Sequence, residues 1–241
     1  MNKGRLKQIL LLTDGCSNVG GDPIAVASMA GEYGVTINVI GIVDEDSLGE
    51  KGKAEVRDIA LAGQGVYQFV RSKQLPKTVQ MVTRKAMNQT LHHVVNKELR
   101  HILGDKEQVE ALPPEQRGKV VEVVEDLGET MHLDVLVLVD ASASMTNKLP
   151  SIKQALRDLS LSMQSRVGDS RFAVWTFPGQ PQAVEKKMEW SSQVDSLERI
   201  FSTITPRGTT PTGPALEEAL KEFAHQERPH KEEGMLSDYV F

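Results

Sequence analysis

Residues 133–146 read Leu133-Asp134-Val135-Leu136-Val137-Leu138-Val139-Asp140-Ala141-Ser142-Ala143-Ser144-Met145-Thr146. The run Val135 to Val139 is apolar and β-branched without alternation, which marks a strand buried on both faces. Asp140 ends it, and open α/β sheets place their ligand sites at the carboxyl ends of strands. Ser142 and Ser144 follow at alternate positions. One carboxylate and two hydroxyls are hard oxygen ligands, suited to Mg²⁺, Mn²⁺ or Ca²⁺ and ill suited to soft metals. The plainer alternative is a polar turn whose serines cap the next helix.

Upstream, Gln8 to Leu12 is a second buried strand, ending in Thr13-Asp14-Gly15, again a carboxylate at a strand's end. Cys16 to Pro23 is turn chemistry, and Asp22-Pro23 suits the cap and first turn of a helix with Ala25, Val26, Met29 and Ala30 on its apolar face. Val35–Ile42 is a strand, Asp44 to Gly52 a charged loop, Ala54 to Ala62 a helix and Val66 to Val70 a strand. This strand–helix rhythm predicts a parallel sheet. From Leu75 to Leu103 the apolar spacing is helical, as one helix or two. Residues 97–132 form an acidic linker with a solvated helix from Glu115 to Leu127. Downstream of Asp140 come a helix from Leu149 to Met163 and a strand from Arg171 to Phe177. A short strand from Ala183 to Met188 pairs with it, and a helix follows from Val194 to Ile204. The loop Pro206-Arg207-Gly208-Thr209-Thr210-Pro211-Thr212-Gly213 enters a helix that runs to about His225. Residues 226–241, ending Tyr239-Val240-Phe241, read as a flexible tail.

The 241 residues allow one large domain or two small ones, and the charged share of 25% with an apolar share of 39% is ordinary for a soluble globular chain. A net charge of −5 with no basic block argues against nucleic acid as a partner. The single cysteine, Cys16, rules out an intrachain disulfide and a cysteine-based zinc site. The apolar run near the N-terminus is too short for a signal segment, and no stretch approaches the ~18 apolar residues of a membrane helix. A cytoplasmic protein with no membrane partner is expected.

The Asp-x-Ser-x-Ser pattern resembles the metal-ion-dependent adhesion site of von Willebrand factor type A (VWA) domains. In that family the pattern follows the first strand. A Thr in a Gly-Thr-x-x-Gly type loop opens a helix after the third strand, and an Asp, often in Thr-Asp-Gly, ends the fourth. Here Asp140, Ser142 and Ser144, then Thr210, then Asp14 match those positions, but strands four to six come first in the chain and strands one to three last. Neither half is complete alone, and together they make one domain. The resemblance therefore implies a circular permutant: residues 1–96 as the C-terminal half, 97–132 as the linker and 133–225 as the N-terminal half. It implies an α/β, Rossmann-like, doubly wound, mostly parallel six-stranded sheet of order 3-2-1-4-5-6, with Asp14 and Asp140 adjacent at the switch point. Closure within one chain is preferred over a domain-swapped dimer, because the linker is long. The arrangement, including Asn2-Lys3-Gly4 and Thr13 to Asn18, is similar to uncharacterised YabS-type VWA proteins of spore-forming bacteria.

The resemblance implies that Ser142 and Ser144 bind the metal through their hydroxyls and that Thr210 binds directly in a high-affinity state. Asp140 and Asp14 would act mainly through bound water. Mg²⁺ fits best, since it keeps waters and takes few protein carboxylates, with Mn²⁺ and Ca²⁺ as alternatives. The expected function is metal-dependent protein binding, with an exposed Asp or Glu of the partner reaching the metal. The rival class is a metal-assisted phosphohydrolase with Asp140 as nucleophile. Enzymes of the haloacid dehalogenase type need a second Asp as general acid where Ser142 stands, so no enzyme is expected. A VWA subunit of an AAA+ or chelatase assembly is the third reading. Cys16 reads as a loop residue and Trp175 and Trp190 as core. His92, His93 and His101 read as a helix face, with no metalloprotease pattern.

Overall fold

The apolar run of residues 133–140 lies at the centre of a six-stranded sheet. The computed structural model describes residues 4–44, 49–103, 113–193 and 197–226, with no side-chain description at 97–103, 116 and 197–199. The strands are β1 (Arg5–Thr13), β2 (Val35–Ile42), β3 (Tyr67–Val70), β4 (His132–Asp140), β5 (Ser170–Phe177) and β6 (Glu185–Ser191). Their order is β3-β2-β1-β4-β5-β6. All neighbours are parallel except β6, which runs antiparallel to β5 as the expected hairpin.

Strands β1 and β4 exceed their apolar runs because polar residues continue the ladder: Lys7 pairs with Val35 and Asp134 with Arg171. Asp134 is buried there because it accepts two hydrogen bonds from Arg171, at 2.8 and 2.6 Å, and faces Arg5 at 3.3 Å. The interior residues of both strands alternate between two cores, as a strand's period of two requires. Leu10 and Leu12 with Val135, Val137 and Val139 enter the first core; Ile9 and Leu11 with Leu136 and Leu138 enter the second.

Helices α3 (Leu75–Leu103), α4 (Pro114–Thr130), α5 (Leu149–Gln164) and α6 (Leu197–Ser202) cover the first core. Helices α1 (Pro23–Ser28), α2 (Glu50–Ala62) and α7 (Thr212–Gln226) cover the second. The helix after β1 and the helix after β4 thus lie on opposite faces. That reversal opens a crevice where the two strands end side by side.

Several element bounds differ from expectation. Helix α1 stops at Ser28 and passes into a 3-10 turn, Ala30–Tyr33, closed by Gly34 at φ +60°, which leaves Met29 exposed. Helix α2 begins at Glu50, inside the expected loop, with Gly49 as its cap and a Glu50–Lys53 ion pair on its first turn. Residues 45–48 of that loop lie outside the described residues, as do 194–196 of the expected helix before α6 and 227–241 of the tail. Helix α3 is a single helix. Helix α4 is not solvated all round: Val124 is buried against the first core, and the α4 end is held by Arg166, which donates to the Gly128 and Met131 carbonyls. Trp175 is core, whereas Trp190 is half-buried between the Arg171 guanidinium and the Phe223 ring.

Candidate metal centre

The register between β1 and β4 builds the site. Leu12 pairs with Val139, so the next residues, Thr13 and Asp140, meet at the ends of the two strands. The Thr13 hydroxyl donates to Asp140 Oδ2 at 2.7 Å, across 127 positions of sequence. The chain then turns back on the other carboxylate oxygen, with the Ser142 amide donating to Asp140 Oδ1 at 2.8 Å. A single 3-10 turn, Ala143–Met145, follows, anchored by the buried Met145 side chain. The turn brings the Ser142 and Ser144 hydroxyls to 3.2 Å from each other. Ser144 donates to Asp14 Oδ1 at 2.7 Å. Four of the five expected ligands, Asp140, Ser142, Ser144 and Asp14, thereby form one hydrogen-bonded group.

Thr210 joins through its backbone. Its amide donates to Asn18 Oδ1 at 2.8 Å, and its carbonyl accepts from the Asn18 amide at 3.2 Å and the Ser17 hydroxyl at 3.3 Å. Among the described residues its own hydroxyl makes no hydrogen bond to the other four. The two loops pack backbone to backbone. A Cβ on Gly213 would lie 2.1 Å from the Gly21 carbonyl oxygen, and one on Gly20 would lie 2.4 Å from the Pro214 ring. Gly20 also has φ +93°, a region glycine enters freely. Glu55 of α2 holds the loop from behind, accepting from the Ser17 amide at 2.6 Å.

The electrostatics follow from burial. Asp140 and Asp14 are 0% and 2% exposed. Burial pushes the Asp140 carboxyl above its ordinary value, and the Asp14 charge adds to this, while hydrogen bonds from Thr13 and Ser142 oppose it. Burial likewise pushes up Glu55, against the Ser17 bond. The Cys16 thiol is raised by burial and by Glu55, against Lys51. The cation at the site is Lys148, whose buried ammonium bonds Asp14 Oδ2 and lies 3.4 Å from the Ser144 carbonyl. Sequence reasoning missed it. The signal was present: Lys148 is the N-cap of α5, and a cation at a helix N-terminus has the unfavourable sign unless a carboxylate meets it.

The donor set fits a hard divalent cation. Hydroxyl and carboxylate oxygens from two chain segments converge in a crevice where Asp14, Asp140 and Ser142 are buried and Ser144 is exposed, with no sulfur or imidazole among them. Among the described residues no three His, Cys, Asp or Glu side chains cluster as a metal site of another kind. His93 is exposed and His92 half-buried on α3, and His101 has no described side chain. No helix among the described residues is long and apolar enough to cross a membrane.

Residues 135–236 match a family model described as the von Willebrand factor type A domain. That range takes in Asp140, Ser142, Ser144 and Thr210 and leaves out Asp14. The uncharacterized protein YabS of Bacillus subtilis (strain 168) is 54% identical over 238 residues, which are 99% of this chain and 96% of that protein. The crystal structure of an uncharacterized protein from Alicyclobacillus acidocaldarius subsp. acidocaldarius DSM 446 superposes with a TM-score of 0.86 at 40% identity, covering 93% of this chain and 96% of that one.

Proposed function

Because the chain belongs to the von Willebrand factor type A domain family, alongside YabS, we propose that it is a metal-dependent protein-binding module. Asp140, Ser142, Ser144, Thr210 and Asp14 would hold a divalent cation, Mg²⁺ by the chemistry of the donors. The observation that carries this is the hydrogen-bonded group of Asp140, Ser142, Ser144 and Asp14 at the ends of β1 and β4. When bound, the cation supplies an acceptor for an anionic oxygen, which points to an Asp or Glu of a protein partner. Asp140 and Asp14 would balance its charge and the two serine hydroxyls would bind it, while the Asn18–Thr210 bonds tie the Thr210 loop to the segment that follows Asp14. Ser142, in place of a carboxylic acid, leaves Asp140 without a general acid two residues on, which favours binding over hydrolysis.

We also infer a circular permutation within a single cytoplasmic chain. Its support is the β1–β4 seam, which joins chain segments far apart in sequence, and a family match confined to the second half. Calorimetric titration with MgCl₂ and MnCl₂ on wild type, Asp14→Ala and Asp140→Ala, with mass measured in the same buffer, tests both readings. Saturable binding lost in both variants of a monomer is the expected result. Loss in Asp140→Ala alone removes the joint site, and a dimer mass replaces intrachain closure with exchange between chains.

A further inference from the structure

Lys148 is unusual in three respects. It caps α5 with the wrong sign of charge for a helix N-terminus. Its side chain is only 7% exposed. And its ammonium holds Asp14 Oδ2 while Ser144 holds Asp14 Oδ1, so both oxygens through which Asp14 would serve a cation are already engaged. We propose that Lys148 is a tethered ammonium that competes with the divalent cation for Asp14, and that Asp44 receives it when the cation enters. This rests on the reading of Asp14 as a residue of the metal centre.

Asp140 and Asp14 carry two negative charges, and Lys148 already offsets one of them. A divalent cation entering beside a buried ammonium is repelled by it, and the repulsion is weakly screened where water is excluded. The ammonium therefore has to withdraw, and an alternative carboxylate stands just past the end of β2, the strand next to β1. Asp44 follows the end of β2, where its carboxylate accepts from the Ser72 amide at 3.1 Å and from the Ser72 hydroxyl. Burial pushes the Asp44 carboxyl up, but those bonds and the charges of Lys148 and Arg71 outweigh it and hold it below its ordinary value. The 3-10 turn Ser72–Gln74, which holds Asp44, packs against α5, the helix that Lys148 caps. The four-carbon lysine stem can swing its compact charge between Asp14 and Asp44, which a planar, forked guanidinium would do less readily. The crevice then keeps a counter-ion with or without the metal, and the position of one side chain reports which state it is in.

The test is calorimetric titration of the full chain with MgCl₂, using wild type, Lys148→Met, Asp44→Asn and the double variant, with folding followed by circular dichroism. Lys148→Met is expected to bind at least about tenfold more tightly than wild type. Asp44→Asn is expected to bind several-fold more weakly, and this effect should shrink to under about twofold in the Lys148→Met background, where no ammonium needs a second acceptor. Equal or weaker binding by Lys148→Met, with wild type binding, overturns the competition and leaves the metal centre standing. An Asp44 effect of the same size in both backgrounds overturns the transfer. Binding by Lys148→Met but not by wild type supports the proposal in its strongest form, whereas no binding by either overturns both it and the metal centre. Where Lys148→Met folds only with the cation present, a larger rise in Tm with MgCl₂ than wild type shows is the supporting result. An equal or smaller rise, or a chain that stays unfolded in saturating MgCl₂, overturns the proposal.

Discussion

Replacing Thr13 by Val removes one hydroxyl from the seam between β1 and β4 and leaves the side-chain volume almost unchanged. Thr13 is 2% exposed and its partner Asp140 0%, so neither is compensated by solvent. The lost bond is 2.7 Å long and ends on a buried carboxylate that has no cationic partner of its own among the described residues. A hydrogen bond to a charged group is worth about 1.5–3 kcal/mol, against about 1 for a neutral one. The remaining contacts of the Thr13 hydroxyl, with Gly15, are 3.3 Å long and add little. We therefore expect Thr13→Val to cost about 2 kcal/mol, a factor of up to about 30 in the unfolding constant. The assay is urea unfolding in EDTA, with an unchanged dependence on denaturant as the sign of an unchanged unfolded state. In an Asp140→Asn background the same substitution should cost about 1 kcal/mol or less, because the acceptor is neutral. A cost under about 0.5 kcal/mol in wild type, or the same cost in both backgrounds, would refute a charge-assisted link across the seam.

Three further outcomes are expected. Gly213→Ala places a methyl 2.1 Å from the Gly21 carbonyl, so the Thr210 and Asp14 loops must separate; the expected cost is about 1–3 kcal/mol in urea unfolding, with weaker Mg²⁺ binding by calorimetry. Asp134→Asn takes the carboxylate from Arg171 and Arg5, and since both guanidinium groups reach solvent we expect a loss of about 2 kcal/mol, with far-ultraviolet circular dichroism unchanged. Burial pushes the Glu222 carboxyl up, but hydrogen bonds from Lys186 and Trp190 and the Lys186 charge hold it below its ordinary value. A depressed carboxylate contributes stability above the unfolded value of ~4.3 and loses it as pH falls through the lower folded value. Wild type should therefore exceed Glu222→Gln by up to about 1 kcal/mol near neutral pH and converge with it in acid, as urea midpoints across pH would show; a gap that does not change with pH would contradict this.

How much of the molecule was legible in the chain depends on which physical signals are local. The central strand, the second carboxylate strand and the order in which they fall could be read from apolar runs and turn chemistry, because burial on both faces leaves a continuous apolar pattern. Asp140, Ser142 and Ser144 could be read as candidate oxygen donors from residue type and spacing, and the resemblance to the VWA metal site implied Thr210 and Asp14 beside them. Element ends were less legible: Arg5, Lys7 and Asp134 lie within strands although they are polar, since ladder pairing and an Arg171–Asp134 ion pair satisfy them. Helix α4 read as solvated, because exposed Val121 and Val123 share its sequence with buried Val124 and only a neighbouring helix distinguishes them.

The sequence by itself determined the α/β class, the strand rhythm and the identity of the hard oxygen donors. These follow from side-chain chemistry and short-range periodicity, which a single chain carries in full. The resemblance implied that Asp14 and Asp140 meet; tertiary structure alone decided how the donors bond to one another and what neutralises them. Thr13 reaches Asp140, Asn18 reaches Thr210 and Lys148 reaches Asp14 because β1 and β4 are neighbours, and the Asp14, Asp140 and Lys148 side chains are buried where they meet. An unpaired charge is costly there, so partners distant in the chain are drawn together, and no local pattern records that requirement.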